Sequence, residues 1–309
     1  MVDNARPVIG FIGLGFMGQG MAANLVRKGY PLWVRGNRNR APVEALLALG
    51  AQEAASPADM AARCDIIHLC LPDSPQVEAV IHGPDGILAG GRKGLIVIDA
   101  TTADPGSTER LAAELAAKGM HFVDAPLGRT PVEAAAGTLD AMVGASPEVF
   151  EKLRPVIGTW AANIQHMGPV GSAHRMKLVM NFIGMGYAAL YSEALVLAVK
   201  SGLSPQDVQR VIGGSRLSNG FFETFMRYAV DRDANAHKFT IQNAAKDLRH
   251  VAAMAAAGGV VNPMGAAIRN AFAQAEAVGK GSDYVPSLSD HIASENGIDL
   301  PAAVEKGKT

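Results

Sequence analysis

The chain has 309 residues, 49% of them apolar, and sets 28 Lys and Arg against 29 Asp and Glu for a formal net charge of −1. That length can bury a substantial core and suits two domains better than one, while the charge balance excludes a whole-molecule field for nucleic acid or anionic membrane. The two cysteines, Cys64 and Cys70, have no CxxC spacing and no neighbouring histidine pair. They suggest neither a disulfide framework nor a zinc site, and a reduced cytosol fits them.

The opening residues, MVDNARPVIG, read as the approach to a strand and not as a secretory leader. Candidate strands then follow at 8–13 (VIGFIG), 31–34 (PLWV), 64–71 (CDIIHLCL), 94–99 (GLIVID), 120–124 (MHFVD) and 141–144 (AMVG). Between them lie Ala-rich helical stretches such as 17–29 and 106–119, each closed by a glycine suited to a helix end. Strand and helix in alternation imply βαβ units and a parallel sheet. From Pro169 onward the pattern turns to Ala-, Leu- and Met-rich helices broken at SGLSP and GGVVNP, with no convincing strand. The expected organisation is therefore α/β: a Rossmann domain with a doubly wound parallel sheet over residues 1–167, then an all-α domain over 168–309 beginning with a long helix.

That helix, roughly 170–200, is apolar on most of its circumference, so it is expected to be buried between domains or subunits of a homo-oligomer. Its longest apolar stretch, Ala188 to Val199, is interrupted by Ser192 and Glu193 and is expected to fall short of a membrane span.

Directly after the first strand, Gly13, Gly15 and Gly18 form a G-x-G-x-x-G array that opens an amphipathic helix. The first glycine permits a tight turn, the second lets backbone approach a pyrophosphate, and the third allows close helix–strand packing. With Leu14, Phe16 and Met17 between them, these residues are a dinucleotide-binding turn in which the phosphate meets a helix N-terminus. The second strand ends in RGNRNR, without the Asp or Glu that would hold a ribose 2′-hydroxyl. Arg35, Asn37, Arg38 and Arg40 can meet a 2′-phosphate instead, so NADP is expected over NAD, with Asn37 and Arg38 the chosen contacts. The run can be read in two registers, and a plain solvated basic turn would look the same.

Six segments in order, GFIGLGFMGQGMAANL, DATTADPG, DAPLGRTPVEAAAGTL with MVGA, GPVGSAHRMKLVMN and AAKDL, resemble the signature segments of the β-hydroxyacid dehydrogenases, which include 3-hydroxyisobutyrate dehydrogenase and tartronate semialdehyde reductase. The resemblance runs over nearly the whole chain. It implies a Rossmann domain, a long linking helix, an all-α domain and subunits joined through the helical part. Lys177 sits where the family carries its catalytic lysine, and Asn181 follows one turn later, where an amide holds the substrate oxygen. Thr101 and Thr102 match a Ser/Thr pair near the nicotinamide. Thr102, Leu71, Pro72 and Lys246 are implied as cofactor contacts. Without the resemblance, a threonine there could equally be a helix cap and a lone lysine a solvated charge.

Most relatives carry Ser-Gly-Gly after the DAP strand, whereas this chain has Gly128, Arg129 and Thr130. The turn resembles that of the sulfolactaldehyde reductases in the family, and it implies a substrate with an acidic tail gripped by Arg129. An Arg129 that points outward or bridges two loops is the structural alternative. Met180 replaces the first of two asparagines common among relatives. The resulting expectation is an NAD(P)-dependent reductase or dehydrogenase of small anionic aldehydes or hydroxy acids, 3-sulfolactaldehyde among them. Two cations in one pocket would repel, so bound anion would restore the lysine's proton. Alternatives are 3-hydroxyisobutyrate or tartronate semialdehyde specificity, an imine reductase, whose members typically replace the lysine, and a non-catalytic dinucleotide-binding protein. No metal is required, the eight histidines lack ligand spacing, and His174 is the one placed near Lys177.

Overall fold

The structure, a computed structural model, describes residues 6–308 and separates into two compact units, residues up to Lys177 and residues from Leu178. The division falls inside a helix, ten residues beyond the 167/168 boundary where composition changes, which lies at the end of a strand.

The first unit holds strands β1 (Ile9–Ile12), β2 (Leu32–Arg35), β3 (Gln52–Glu53), β4 (Ile66–Leu69), β5 (Ile96–Asp99), β6 (His121–Asp124), β7 (Leu127–Gly128), β8 (Leu139–Gly144) and β9 (Ala161–Gly168). Its helices are α1 (Gly18–Arg27), α2 (Ala41–Ala48), α3 (Pro57–Arg63), α4 (Ser74–His82), α5 (Ile87–Gly90), α6 (Pro105–Ala117), α7 (Pro131–Ala136) and α8 (Pro147–Ile157). Strand order runs β3-β2-β1-β4-β5-β6-β8, with every pair parallel as far as β6. β6 and then β7 pair antiparallel with β8, whose other edge carries β9 in parallel. This is the doubly wound Rossmann order, and its chain reversal between β1 and β4 opens a crevice at the carboxyl ends of those strands.

Every residue of β1, β4 and β5 is buried, as expected for a sheet covered on both faces. His68, in the middle of β4, stacks on Phe11 and meets Trp160 edge-on, and burial pushes its imidazole down to about 3. The six strands read from the sequence are all present, while β3, β7 and β9 were not anticipated. β3 and β7 span two residues each, and β9 is largely exposed, so none has the apolar alternation that marks a half-buried strand.

Helix α9 (Ser172–Lys200) begins in the first unit and continues into the second. The second unit contains α10 (Pro205–Gly213), α11 (Gly220–Ala229), α12 (Ile241–Ala257), α13 (Pro263–Ala275), α14 (Leu288–Glu295) and α15 (Leu300–Lys306). They surround a core that includes Leu195, Phe222, Phe225, Phe272 and Leu288. No strand forms there among the described residues beyond an isolated bridge, Thr240 to Tyr284.

One expectation needs correction. With 29 residues and a mean hydropathy of 1.6 over its best window, α9 is long and apolar enough to cross a membrane, and Ser192 and Glu193 do not interrupt it. Ser192 is buried and returns its hydroxyl to the Ala188 carbonyl at 2.7 Å, so the helix carries it without exposing a polar group. Ala188 and Leu195 are fully buried, as in the core helix of a folded domain.

Candidate active site

The glycine turn lies at the carboxyl end of β1, on the chain reversal. Gly13 has φ 100°, and a Cβ there would lie 2.2 Å from the Cys70 carbonyl oxygen at the end of β4. At Gly18 a Cβ would sit 1.9 Å from the Gly13 carbonyl oxygen, so only glycine lets α1 start this close to β1. Gly15 differs: a Cβ would meet nothing within 4 Å. It faces an open cradle, and Met17 at the cap position of α1 places no side-chain bond over the helix N-terminus. Leu14 and Met17 are half-buried against the core, while Phe16 projects outward. These features fit a dinucleotide pyrophosphate, which backbone N–H groups and the helix dipole would hold.

The basic run divides between two jobs. Arg40 bonds Glu53 at 2.6 and 2.8 Å and Glu44 at 3.1 Å, and Arg35 bonds the carbonyls of Ala54 and Ala55. Asn37 and Arg38 are exposed, and Arg38 makes no bond or ion pair among the described residues. The flanking arginines are thus engaged in structure, while Asn37 and Arg38 face solvent.

Beside the cradle, Thr101 is buried and accepts the Leu71 N–H at 3.0 Å, tying the end of β5 to the end of β4. Its own N–H donates to Asp99 at 2.9 Å. Thr101 is therefore a brace, and Thr102 and Pro72 are the partly exposed and exposed residues at the same rim. Burial pushes the Asp99 carboxyl up, with Asp124 on the neighbouring strand adding to the shift and His174 opposing it.

The Gly-Arg-Thr turn lies between β7 and α7. Gly128 pairs with Asp140 of β8, and Thr130 caps α7 in a reciprocal box with Glu133. Thr130's hydroxyl donates to Glu133 at 2.6 Å, so its proton is already committed. Arg129 adopts φ 77°, in the left-handed region that favours glycine. Its Nε donates to Asp140 at 2.9 Å, and its terminal nitrogens make no bond among the described residues. The bridging alternative is thus realised through one edge of the guanidinium, leaving the other edge for an anion. Asn24 on α1 donates to the Ala134 carbonyl of α7 at 2.9 Å, which fastens this turn to the dinucleotide helix.

On α9, Lys177 is partly buried and Asn181 follows one turn later. Asn181 donates its amide to Asp247 at 2.6 Å, so its carbonyl oxygen points away from that carboxylate. Lys246 lies 3.0 Å from the other Asp247 oxygen, and Asp247 itself is 1% exposed. Asp247 is the residue that sequence reasoning missed: an acid following a lysine on a helix looks like a surface pair, and only its burial beside Asn181 reveals a shared anchor. His174 is fully buried and bonds Thr108 at 2.7 Å. Met180 is exposed, on a stripe with Ile183, Tyr187, Leu190 and Leu197.

A glycine cradle at a Rossmann switch point defines a dinucleotide-binding fold. Residues 8–168 match the NAD binding domain of 6-phosphogluconate dehydrogenase, and residues 171–288 match the NAD-binding domain of NADP-dependent 3-hydroxyisobutyrate dehydrogenase. The chain belongs to the β-hydroxyacid dehydrogenase family, and it is an NAD(P)-dependent oxidoreductase acting on hydroxyl and aldehyde groups. It is 38% identical over 281 residues to 2-(hydroxymethyl)glutarate dehydrogenase of Eubacterium barkeri, covering 91% of this chain and 93% of that one. It is 34% identical over 290 residues to 3-sulfolactaldehyde reductase of Escherichia coli, covering 94% and 97%. Among solved structures, Mycobacterium tuberculosis 3-hydroxyisobutyrate dehydrogenase with L-serine superposes with a TM-score of 0.83 at 26% identity, covering 93% of this chain and 99% of that one.

Proposed function

We propose that the enzyme reduces a small aldehyde, or oxidises the corresponding hydroxy acid, whose far end carries a carboxylate or sulfonate. The observation that carries this reading is Arg129. A non-glycine residue held at φ 77° costs about 1 kcal/mol, and such strain persists where function requires it. Asp140 steadies the guanidinium from one edge, leaving the terminal nitrogens for bidentate recognition of an acidic tail. The relatives above are named for a dicarboxylate and a sulfonate, which supports the class without choosing between them.

In this reading the nicotinamide, when bound, supplies or accepts the hydride. Lys177 gives its proton to the carbonyl oxygen as the hydride arrives and takes it back in the reverse direction. Asn181, oriented by Asp247, offers its carbonyl oxygen to the ammonium or the alcohol. The glycine turn, Leu71, Pro72, Thr102 and Lys246 hold the cofactor, and Asn37 with Arg38 selects NADP.

A reduction screen tests this. With NADPH, sulfolactaldehyde and dicarboxylic semialdehydes are expected to exceed an uncharged aldehyde by at least about tenfold in kcat/KM, roughly one charge-assisted hydrogen bond. Arg38→Ala is expected to raise KM for NADPH by about tenfold and leave that for NADH unchanged. Equal use of charged and uncharged aldehydes would reject the substrate class, and an unchanged NADPH KM would reject Arg38.

The reading includes a soluble, cytoplasmic homodimer or homotetramer. Met180, Ile183, Tyr187, Leu190 and Leu197 recur at spacings of three, four, three and seven along α9, and Leu190 and Leu197 are 61% and 69% exposed. A second copy covering that stripe removes it from water. Leu190→Glu combined with Leu197→Glu is expected to reduce the particle to monomers in sedimentation. A wild-type chain that already sediments as a monomer, or pellets with membranes, would reject this part.

A further inference from the structure

We propose that Asp124 is a positioning residue for Lys177: its carboxylate fixes the first turn of α9 and thereby the place of the ammonium. The inference rests on the proton-donor role proposed for Lys177 above.

A helix leaves its first N–H groups without carbonyl partners, and a side chain at the cap position usually satisfies them. At the start of α9 that position is Gly171, at φ 90°, which has no side chain to offer. Asp124 supplies the cap from β6 instead. Its Oδ1 accepts the Gly171 N–H at 2.8 Å, and its Oδ2 accepts the His174 N–H at 2.8 Å. The residue is fully buried, so both bonds are charge-assisted and shielded from water, and the negative charge faces the positive end of a 29-residue helix.

Space for this carboxylate is built into the opposite strand. Gly144 of β8 pairs with Asp124, and a Cβ at Gly144 would lie 2.2 Å from Asp124 Oδ1. His174 is fastened a second time through its ring. Thr108 donates its hydroxyl to the Asp104 carbonyl at 3.1 Å, so the imidazole Nδ1–H donates to Thr108 Oγ1 at 2.7 Å. Lys177 is the next residue but two, just under one turn along the same helix.

Three motifs that stand apart in the sequence, DAPLGRT, MVGA and GPVGSAH, therefore meet at one carboxylate. Five residues after Asp124 comes Arg129. The same strand end thus ties down both the anion-gripping turn and the helix bearing the acid. Asp124 touches neither substrate nor cofactor in this account. It acts through α9.

The decisive variant is Asp124→Asn, which keeps the shape but turns one acceptor into a donor facing an N–H. It is expected to bind NADPH at full stoichiometry with KM within twofold of wild type, while kcat falls about 10- to 100-fold, the cost of roughly 1 Å of misplacement. Gly144→Ala, which keeps the charge but displaces the carboxylate, is expected to lower kcat in the same way and decides the matter if the first variant does not fold. A kcat within twofold of wild type in either folded variant overturns the proposal. So does a loss of kcat matched, in both variants, by an equal loss of NADPH-binding molecules, the mark of simple unfolding. Lys177→Ala assayed alongside separates the two readings. If it retains near-normal turnover, the proton-donor assignment is wrong and the clamp has nothing to position. If it is inactive while Asp124→Asn is not impaired, only the clamp is wrong.

Discussion

Lys177→Ala is expected to lower kcat by about 10³-fold, within the range that a positioned general acid contributes, while NADPH still binds. The change should not disturb the fold. Alanine is at least as good a helix former as lysine, and the residue is partly buried on a helix whose start is held by Asp124 and His174. The measurement is a pair: turnover with the preferred aldehyde, and NADPH affinity by fluorescence titration. Loss of kcat at unchanged affinity assigns the residue to the chemical step. Lys177→Arg sharpens the test, because a guanidinium keeps the charge but cannot release a proton near neutrality. It is expected to recover substrate binding without recovering turnover. Turnover within a few-fold of wild type in Lys177→Ala would remove the residue from the mechanism.

Arg129→Gly carries the second large effect, and here two energies oppose. Glycine relieves the cost of φ 77°, about 1 kcal/mol, but it also adds backbone entropy to the unfolded chain and removes the ion pair with Asp140. That pair is half exposed on the arginine side and screened by water, so its contribution to stability is small. The terms nearly cancel, so Tm is expected to move by no more than a few degrees. Binding of an acidic tail loses a bidentate charge-assisted contact, about 1.5 to 3 kcal/mol, which corresponds to roughly a 10- to 100-fold rise in KM for the anionic aldehyde. An uncharged aldehyde of the same length should be used as before. If both aldehydes weaken together, the arginine shapes the turn and does not read the substrate.

These two experiments concern residues whose legibility differed. Lys177 was singled out only through the family resemblance of GSAHRMK, while the glycine array, the six apolar strands and the change to all-helical structure were readable in the chain. Each rests on local rules: strand runs buried on both faces, positive-φ glycines at element ends, and the spacing of a turn. Asn37 and Arg38 were readable as a pair of possibilities. Folding engages Arg35 and Arg40 with carbonyl and carboxylate groups, which is what the proposal for Asn37 and Arg38 rests on.

Other features depend on partners far apart in the chain. β9 is exposed and follows no apolar period, so it is a strand only because β8 offers it an edge. Thr101 also braces the framework, because its hydroxyl accepts the Leu71 N–H from 30 residues away. Asp247 became more than a surface acid through Asn181, 66 residues distant. Asp124 became a helix cap through Gly171 and His174, 47 and 50 residues on. The chain alone determined the class of fold and the dinucleotide turn, because periodicity and backbone freedom are properties of neighbouring residues. The tertiary structure decided which polar groups brace the framework and which remain to meet a ligand, because a buried donor or acceptor must find its partner wherever the fold brings one within 3 Å or so.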